Sequence, residues 1–266
     1  MHHRMKNGWF LLSLTGLILA ALVLGGCGHS LSGTITEGGS TTVQPLADKW
    51  AEAFEDNNPE VKVIVQGGGS SGGVKGCAQG TLDIGAASRE LKSSEISEYP
   101  DLVVTHVAAD GVAIVVHPSN NTADLTMEEI RNIFAAGSND TWTVINREEG
   151  SGTREVFEKK VMAGTEVAPN AEFFPSNGAV KQKVAATANA IGYISLGYVD
   201  LSVKAVSVGG VTCNEANCVN GSYPVTRYLN FITKGEPEGL TKEFIDFCLS
   251  SEGQKIVEEE GYISIK

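Results

Sequence analysis

The sequence predicts an α/β protein with mostly parallel sheets, on three observations. Short apolar segments of strand character alternate along the chain with segments of helical periodicity. At repeated junctions a strand-like segment runs into a loop rich in Gly, Ser and Thr, and a helix follows, as in open α/β sheets. Apolar residues make up 42% of the 266 and charged residues 20%. That is enough apolar surface to offset ordering entropy, which excludes a wholly disordered chain.

The elements follow in order. Trp9 to Leu24 is a run of 16 residues without charge, preceded by His2, His3, Arg4 and Lys6. At ~1.5 Å per residue it spans about 24 Å, short of a ~30 Å hydrocarbon core. It reads as a signal peptide over residues 1–26. Cys27 follows Gly25 and Gly26 and resembles the lipidated cysteine of a lipobox, with residues 27–32 as a short linker. The alternative is a signal-anchor helix that stays uncut. Gly33 to Thr36 is a strand. A helix with Leu46, Trp50, Ala53 and Phe54 on one face follows and stops at Asn57-Asn58-Pro59. Val61 to Val65 is a strand, Gly67 to Gly73 a loop, Val74 to Gln79 a short helix, and Leu82 to Ala87 a third strand before a helix around Glu95. Leu102–Val107 and Val112–His117 read as two strands split by Ala108 to Gly111. Thr126–Ala135 is helical, Thr143–Ile145 a strand, and a helix runs through Phe157 after the loop Arg147 to Thr153. Strands are expected at Ile191–Ser195, Val203–Val208 and Thr226–Thr233, and helices at Leu240–Leu249 and Glu252–Glu260. There is no tandem repeat of solenoid length.

The net charge of −12 argues against a nucleic-acid reader, which needs a basic face. It does not forbid a small anion, because local amide dipoles bind anions inside acidic proteins. Three strand-to-helix loops have the composition for that: Gly39 to Thr42, Gly67 to Gly73 and Gly150 to Thr153, with Ala87-Ser88-Arg89 a looser fourth. Each helix start offers unpaired N–H groups and the positive end of a dipole. Gly allows close approach, and Ser and Thr hydroxyls add donors. Arg147, four residues before Ser151, adds a bidentate charged fork. Alone, each loop is an ordinary cap and turn; together they would enclose a tetrahedral oxyanion.

Two enzyme readings share these residues. The Walker spacing fails, since Gly68-x4-Gly73 is followed by Val74-Lys75 with no Ser or Thr after the lysine. Gly69-Ser70-Ser71-Gly72-Gly73 fits the nucleophile elbow with Ser71 central, but only His106 and His117 follow it, both beside apolar strands. No glutamate pair or His cluster suggests glycosidase or metal chemistry, and no cofactor is implied. Cys213 and Cys218 close a small loop and are expected to form a disulfide in an exported protein; Cys77 and Cys248 are expected to be buried thiols.

In order, the loops resemble those of the phosphate-binding proteins of ABC phosphate importers, the periplasmic phosphate-binding lipoprotein family. The resemblance runs from Gly33 to Ile263. It rests on Gly39-Ser40-Thr41, Gly69 to Lys75, Asp83-Ile84-Gly85-Ala86, Arg147-x-x-Gly150-Ser151-Gly152-Thr153 and Tyr223-Pro224-x-x-Arg227. It implies a type II periplasmic-binding fold, two α/β lobes joined by two crossover strands with a ligand cleft between them. Lobe 1 would be residues 33–111 and 208–266 and lobe 2 residues 112–207, with crossings near Ala108–Val115 and Val203–Val208. It implies that Thr41 and Ser70 bind phosphate from one lobe and Arg147, Ser151, Gly152 and Thr153 from the other. Well-known members carry an aspartate where this chain has Ser88, which can accept a hydrogen bond but applies no negative charge. Rejection of sulfate, which lacks the proton of phosphate, is therefore open. Arg89 is expected to pair with Glu37 or Asp110. The implied function is extracytoplasmic capture of inorganic phosphate for the permease of an ABC importer. The implied protein is a monomer on a lipid anchor at the outer face of the cell membrane, without enzymatic activity. The alternatives are another tetrahedral oxyanion (sulfate, molybdate, tungstate), a serine hydrolase using Ser71, and an adhesion or signalling ectodomain that lost its ligand.

Overall fold

The computed structural model describes residues 31–266; the leader, Cys27 and most of the linker lie outside them. The chain opens with β1 (Gly33–Gly39), α1 (Gln44–Asn57), β2 (Val61–Gly67), α2 (Ser70–Ala78), β3 (Ile84–Ala87) and α3 (Ser93–Glu98). β1 lies between β2 and β3 and is parallel to both. α1 buries Leu46, Trp50 and Phe54 on one face. Asn58 ends it, its amide returning to Glu55. α2 starts at Ser70, four residues before the expected start. It buries Ser70, Gly73, Val74 and Cys77, the i, i+3, i+4, i+7 positions of one helical face. Gly73, which read as loop, belongs to that face, while Gly72 lies on the exposed side.

β4 (Leu102–Val116) is one continuous strand of 15 residues. The split expected at Ala108–Gly111 does not occur. Asp110 there is fully buried and paired with an arginine, so the turn tendency of Asp-Gly is overridden by a tertiary contact. The first stretch of β4, through Gly111, pairs antiparallel with β10 (Thr226–Lys234), which also pairs with β3. The second, from Val112, pairs antiparallel with β8 (Ala190–Ser195) and β9 (Lys204–Val208). Between them run β5 (Asp124–Leu125), α4 (Met127–Ala136), β6 (Thr143–Arg147), α5 (Gly152–Phe157), a π turn at Glu158–Met162, β7 (Glu172–Phe174) and α6 (Asn177–Ala185). β6 pairs parallel with β7 and β8. The chain closes with α7 (Glu215–Val219), β10, α8 (Gly239–Cys248) and α9 (Ser251–Glu259). The strand order is β2-β1-β3-β10-β4-β8-β6-β7. It is parallel toward both ends and antiparallel where β4 and β10 run side by side.

Two large buried clusters lie on this sheet, with a small third one of Val74, Cys77, Ala87 and Ile232. One gathers Ile35, Leu46, Trp50, Phe231 and Phe244. The other gathers Val112 to Val116, Phe134, Phe157 and Tyr193, with Phe157 and Tyr193 stacked at 4.0 Å. The return between them falls later than expected. β9 pairs with the second stretch of β4, and Val208, Cys213, Tyr223 and Val225 belong to the second cluster. The chain rejoins the first sheet at Thr226, opposite Gly111. Tyr223 fixes that point by donating its hydroxyl to the Val112 carbonyl at 2.8 Å. A valine-rich hexapeptide such as 203–208 identifies a strand; its partner strand is set by contacts far along the chain.

Candidate functional site

Four loops meet where β1, β3, β4, β6 and β10 converge. After β1, Ser40 accepts from the Thr42 amide at 3.2 Å, which fixes the turn into α1. Thr41 Oγ1 faces across to the second half and accepts from Arg147 Nη2 at 3.1 Å. At the mouth of α2, Ser70 Oγ accepts from the Ser88 amide at 3.1 Å and lies 3.4 Å from Ser88 Oγ. At the mouth of α5, Ser151 caps the helix by accepting from Arg154 N at 3.3 Å. A Cβ on Gly152 would stand 2.3 Å from Ser70 Oγ and 2.7 Å from Ser88 Oγ; only glycine fits there. Thr153 Oγ1 is 3.0 Å from Thr42 Oγ1. The Ser71 amide donates to the Gly150 carbonyl at 3.1 Å, a backbone link between the halves. Thr41, Ser70, Ser88, Arg147, Ser151, Gly152 and Thr153 are thus brought together.

Donors outnumber acceptors in this enclosure. The amides of Thr41, Ser70, Gly152 and Thr153 have no hydrogen-bond partner among the described residues. Arg147 is 1% exposed. Its Nε and Nη2 hold the Glu148 carboxylate at 2.8 and 2.9 Å, while Nη1 is buried without a partner. Buried donors left unsatisfied cost free energy. A buried guanidinium nitrogen and the free amides of helix mouths in one enclosure are groups that an anion satisfies. No carboxylate lies against the Ser70, Ser88 and Gly152 wall in these contacts.

Three further side chains complete the enclosure, and the loops gave no direct sign of them. Arg227, on β10, donates to Thr153 Oγ1 at 2.9 Å, to the Ser88 carbonyl at 3.2 Å and to Thr42 Oγ1 at 3.3 Å. It also holds Asp110 through Nη2 at 2.7 Å and Nε at 2.9 Å. Burial pushes the Asp110 carboxyl up from its ordinary value, while Arg227, the Ser195 hydroxyl and the Leu196 amide pull against it. Asn177 donates to Thr42 Oγ1 at 2.8 Å and accepts from the Ser195 amide at 3.1 Å. Arg227 was legible as part of Tyr223-Pro224-x-x-Arg227, though not as a bridge. Asn177 gave only the Ser-Asn-Gly of a helix start.

Other expectations resolve differently. Arg89 pairs with neither Glu37 nor Asp110. Its two Nη atoms hold Glu95 at 2.8 Å each, and its Nε lies 2.9 Å from Glu155. Ser71 has no histidine beside it. It accepts from Arg89 at 3.0 Å and faces Glu155 at 3.5 Å, while His106 is bonded to Asn230 and His117 to Ser119. The nucleophile-elbow spacing therefore carries no base. Cys213 and Cys218 are free thiols in the structure, not a disulfide. Asn214 caps α7 between them, and both sulfurs face Gly111, where a Cβ would lie 2.7 and 2.9 Å from them. Cys77 and Cys248 are buried thiols.

Two α/β halves on a sheet crossed by β4 and β10, with helix mouths from both halves facing one anion-sized enclosure, define a periplasmic-binding-protein fold of the second type. The sequence model of the PBP superfamily domain matches residues 28–252. The chain is 36% identical over 245 residues to the phosphate-binding protein PstS of Bacillus subtilis, covering 88% of this chain and 81% of that one. It is 30% identical over 271 residues to the PstS of Pseudomonas aeruginosa, covering 88% and 84%. A Clostridium perfringens structure with bound phosphate, a candidate phosphate ABC transporter substrate-binding protein, matches with a TM-score of 0.82 at 38% identity, covering 88% of this chain and 100% of that one. The chain belongs to the phosphate-binding proteins of this superfamily.

Proposed function

We propose that this protein captures inorganic phosphate outside the cytoplasm and delivers it to the permease of an ABC importer, without covalent chemistry. The observation that carries the reading is Arg147 Nη1, buried and unpartnered, on a guanidinium whose Nη2 crosses to Thr41 Oγ1 in the other half. Thr41, Ser70 and Ser88 supply hydroxyls from the first half, and Ser151, Gly152 and Thr153 supply the α5 mouth. The names of the relatives point to the same ligand. Net charge within the enclosure is small, because Glu148 offsets Arg147 and Asp110 offsets Arg227. Oriented dipoles and one free guanidinium nitrogen do the binding, and closure of the two halves excludes water.

Export follows from the leader, and Cys27 is the anchor point at the outer face of the membrane. The protein acts as a monomer. In an oxidising compartment Cys213 and Cys218 pair as a disulfide. Thermal unfolding of the mature chain with phosphate, and with sulfate as control, tests the ligand assignment. Phosphate at 100 times its dissociation constant stabilises by about 2.7 kcal/mol. Absence of any phosphate-dependent rise in Tm rejects the assignment.

A further inference from the structure

A second cavity runs beside the crossover strands. It encloses about 890 Å³, within the range of small-molecule sites. Ala109 and Asp110 of β4 and Thr226 to Tyr228 of β10 form its floor. One wall comes from the first half at Leu91 and Lys92, the other from the second half at Val156 and the π turn. π turns recur at functional sites.

Its charge and its apolar surface point to one kind of occupant. Of the four carboxylates on its lining, three are already engaged. Glu155 holds Arg89 and Lys92, Glu158 holds Arg154, and Asp110 holds Arg227. The fourth, Glu90, is exposed. Lys159 and Lys160 line the same cavity and have no acidic partner among the described residues. Lys160 Nζ reaches only the Pro224 carbonyl, at 3.5 Å. Partial desolvation of this exposed side chain, with Lys159 alongside, lowers the Lys160 ammonium from its ordinary value, as befits a cation short of a counter-ion. The same cavity is lined by two large, exposed apolar side chains, Tyr228 at 47% and Val219 at 68%. Tyr228 is held flat by His106, stacked at 4.2 Å and 15°. A fixed aromatic platform and an unpaired lysine couple lining one cavity fit a flat organic anion.

We propose that this cavity is a second binding site, for a small organic anion with a flat apolar body, and that its occupancy is coupled to anion capture in the first. The coupling follows from the walls. Both halves contribute to them, so a ligand that touches both favours their approach, as the first site does. The coupling rests on the phosphate reading; the site itself does not.

The probe is 8-anilinonaphthalene-1-sulfonate, titrated into the mature chain by fluorescence, with Lys159→Glu/Lys160→Glu and Arg147→Ala as variants. Both lysines are exposed, so the double variant is expected to fold, and its Tm verifies that. One saturable site is expected. The double variant weakens it at least tenfold, and Arg147→Ala leaves it unchanged. Saturating phosphate tightens dye binding by the same factor by which the dye tightens phosphate. Dye binding that is absent, multiple or equal in wild type and double variant overturns the site. Dye binding that is lost in the double variant but insensitive to phosphate overturns the coupling. A wild type that binds dye and no phosphate overturns the proposed function and leaves the site standing.

Discussion

Arg147 and Arg89 are both buried, and what they touch separates them. Arg147 spends two nitrogens on Glu148 and Thr41 and keeps one buried and unpaired. Arg89 is held between Glu95 and Glu155. A hydrogen bond to a charged group contributes ~1.5–3 kcal/mol, which is roughly 10–150-fold in affinity. Arg147→Ala is therefore expected to weaken phosphate binding by about that factor in titration calorimetry, and Arg89→Ala by less than about fivefold. The reverse order would remove Arg147 from its role. Ser88 makes a second test. Its hydroxyl and that of Ser70 form the wall against Gly152. Ser88→Asp places a negative charge there, which repels a ligand lacking a proton and accepts a hydrogen bond from one that has it. Like-charge contact costs several kcal/mol. The affinity for sulfate relative to phosphate should fall at least ~tenfold, and an unchanged ratio would place position 88 away from the ligand. These residues were legible because Gly, Ser and Thr before a helix have a local cause. Asn177 was not, because its partner, Thr42, lies 135 positions away.

At the scale of elements, β4 and β10 do more than join the halves. Asp110 on one and Arg227 on the other form a buried pair, and Arg227 reaches Thr42 in the first half and Thr153 in the second. The contact to Thr153 exists only while the halves are together. Replacing Arg227 by Met in the background Asp110→Asn, so that no lone charge is left buried, should raise the phosphate dissociation rate about tenfold or more and leave association within about threefold. Stopped-flow rates check this, and equal change in both would make Arg227 a packing residue alone. Helices and outer strands were legible from periodicity: α1, α4, α8 and α9 lie within a few residues of expectation. The crossings were not. The split of β4 was read from the local stretch Ala108 to Gly111, and the early return at 203–208 was what the family resemblance implied. Tertiary pairing settles both, through Arg227 on Asp110 and Tyr223 on Val112. The early start of α2 goes with a tertiary contact too, since its small-residue face packs on β3, where a Cβ at Gly73 would lie 2.6 Å from the Ala86 carbonyl.

At the scale of the whole molecule, stability and ligand binding depend on pH through different groups. Glu37 on β1 is 1% exposed, and neither carboxylate oxygen has a partner. Burial, and then the nearby Asp48, push its carboxyl well above the usual range. The folded state therefore keeps this proton at a pH where the unfolded chain, near its ordinary value of ~4.3, has lost it. The native state binds more protons in that window, so stability falls as pH rises, by at most about 1.4 kcal/mol per unit, until the folded carboxyl ionises. Below the ordinary value the contribution is fully present. Glu37→Met removes the titrating group and keeps a side chain of similar length in an apolar setting. The Tm gap between variant and wild type should be constant below about pH 4, widen in favour of the variant from there upward, and level off once the buried carboxyl ionises. Asp110 and Cys77 also carry raised values, but they are common to both proteins; Cys248, whose thiol Glu37 helps push up, stays protonated across the acidic window, so the difference there isolates Glu37. A gap independent of pH would mean that an unseen donor satisfies the carboxylate. Phosphate affinity is expected to stay the same in this variant, because Glu37 makes no contact with the enclosure.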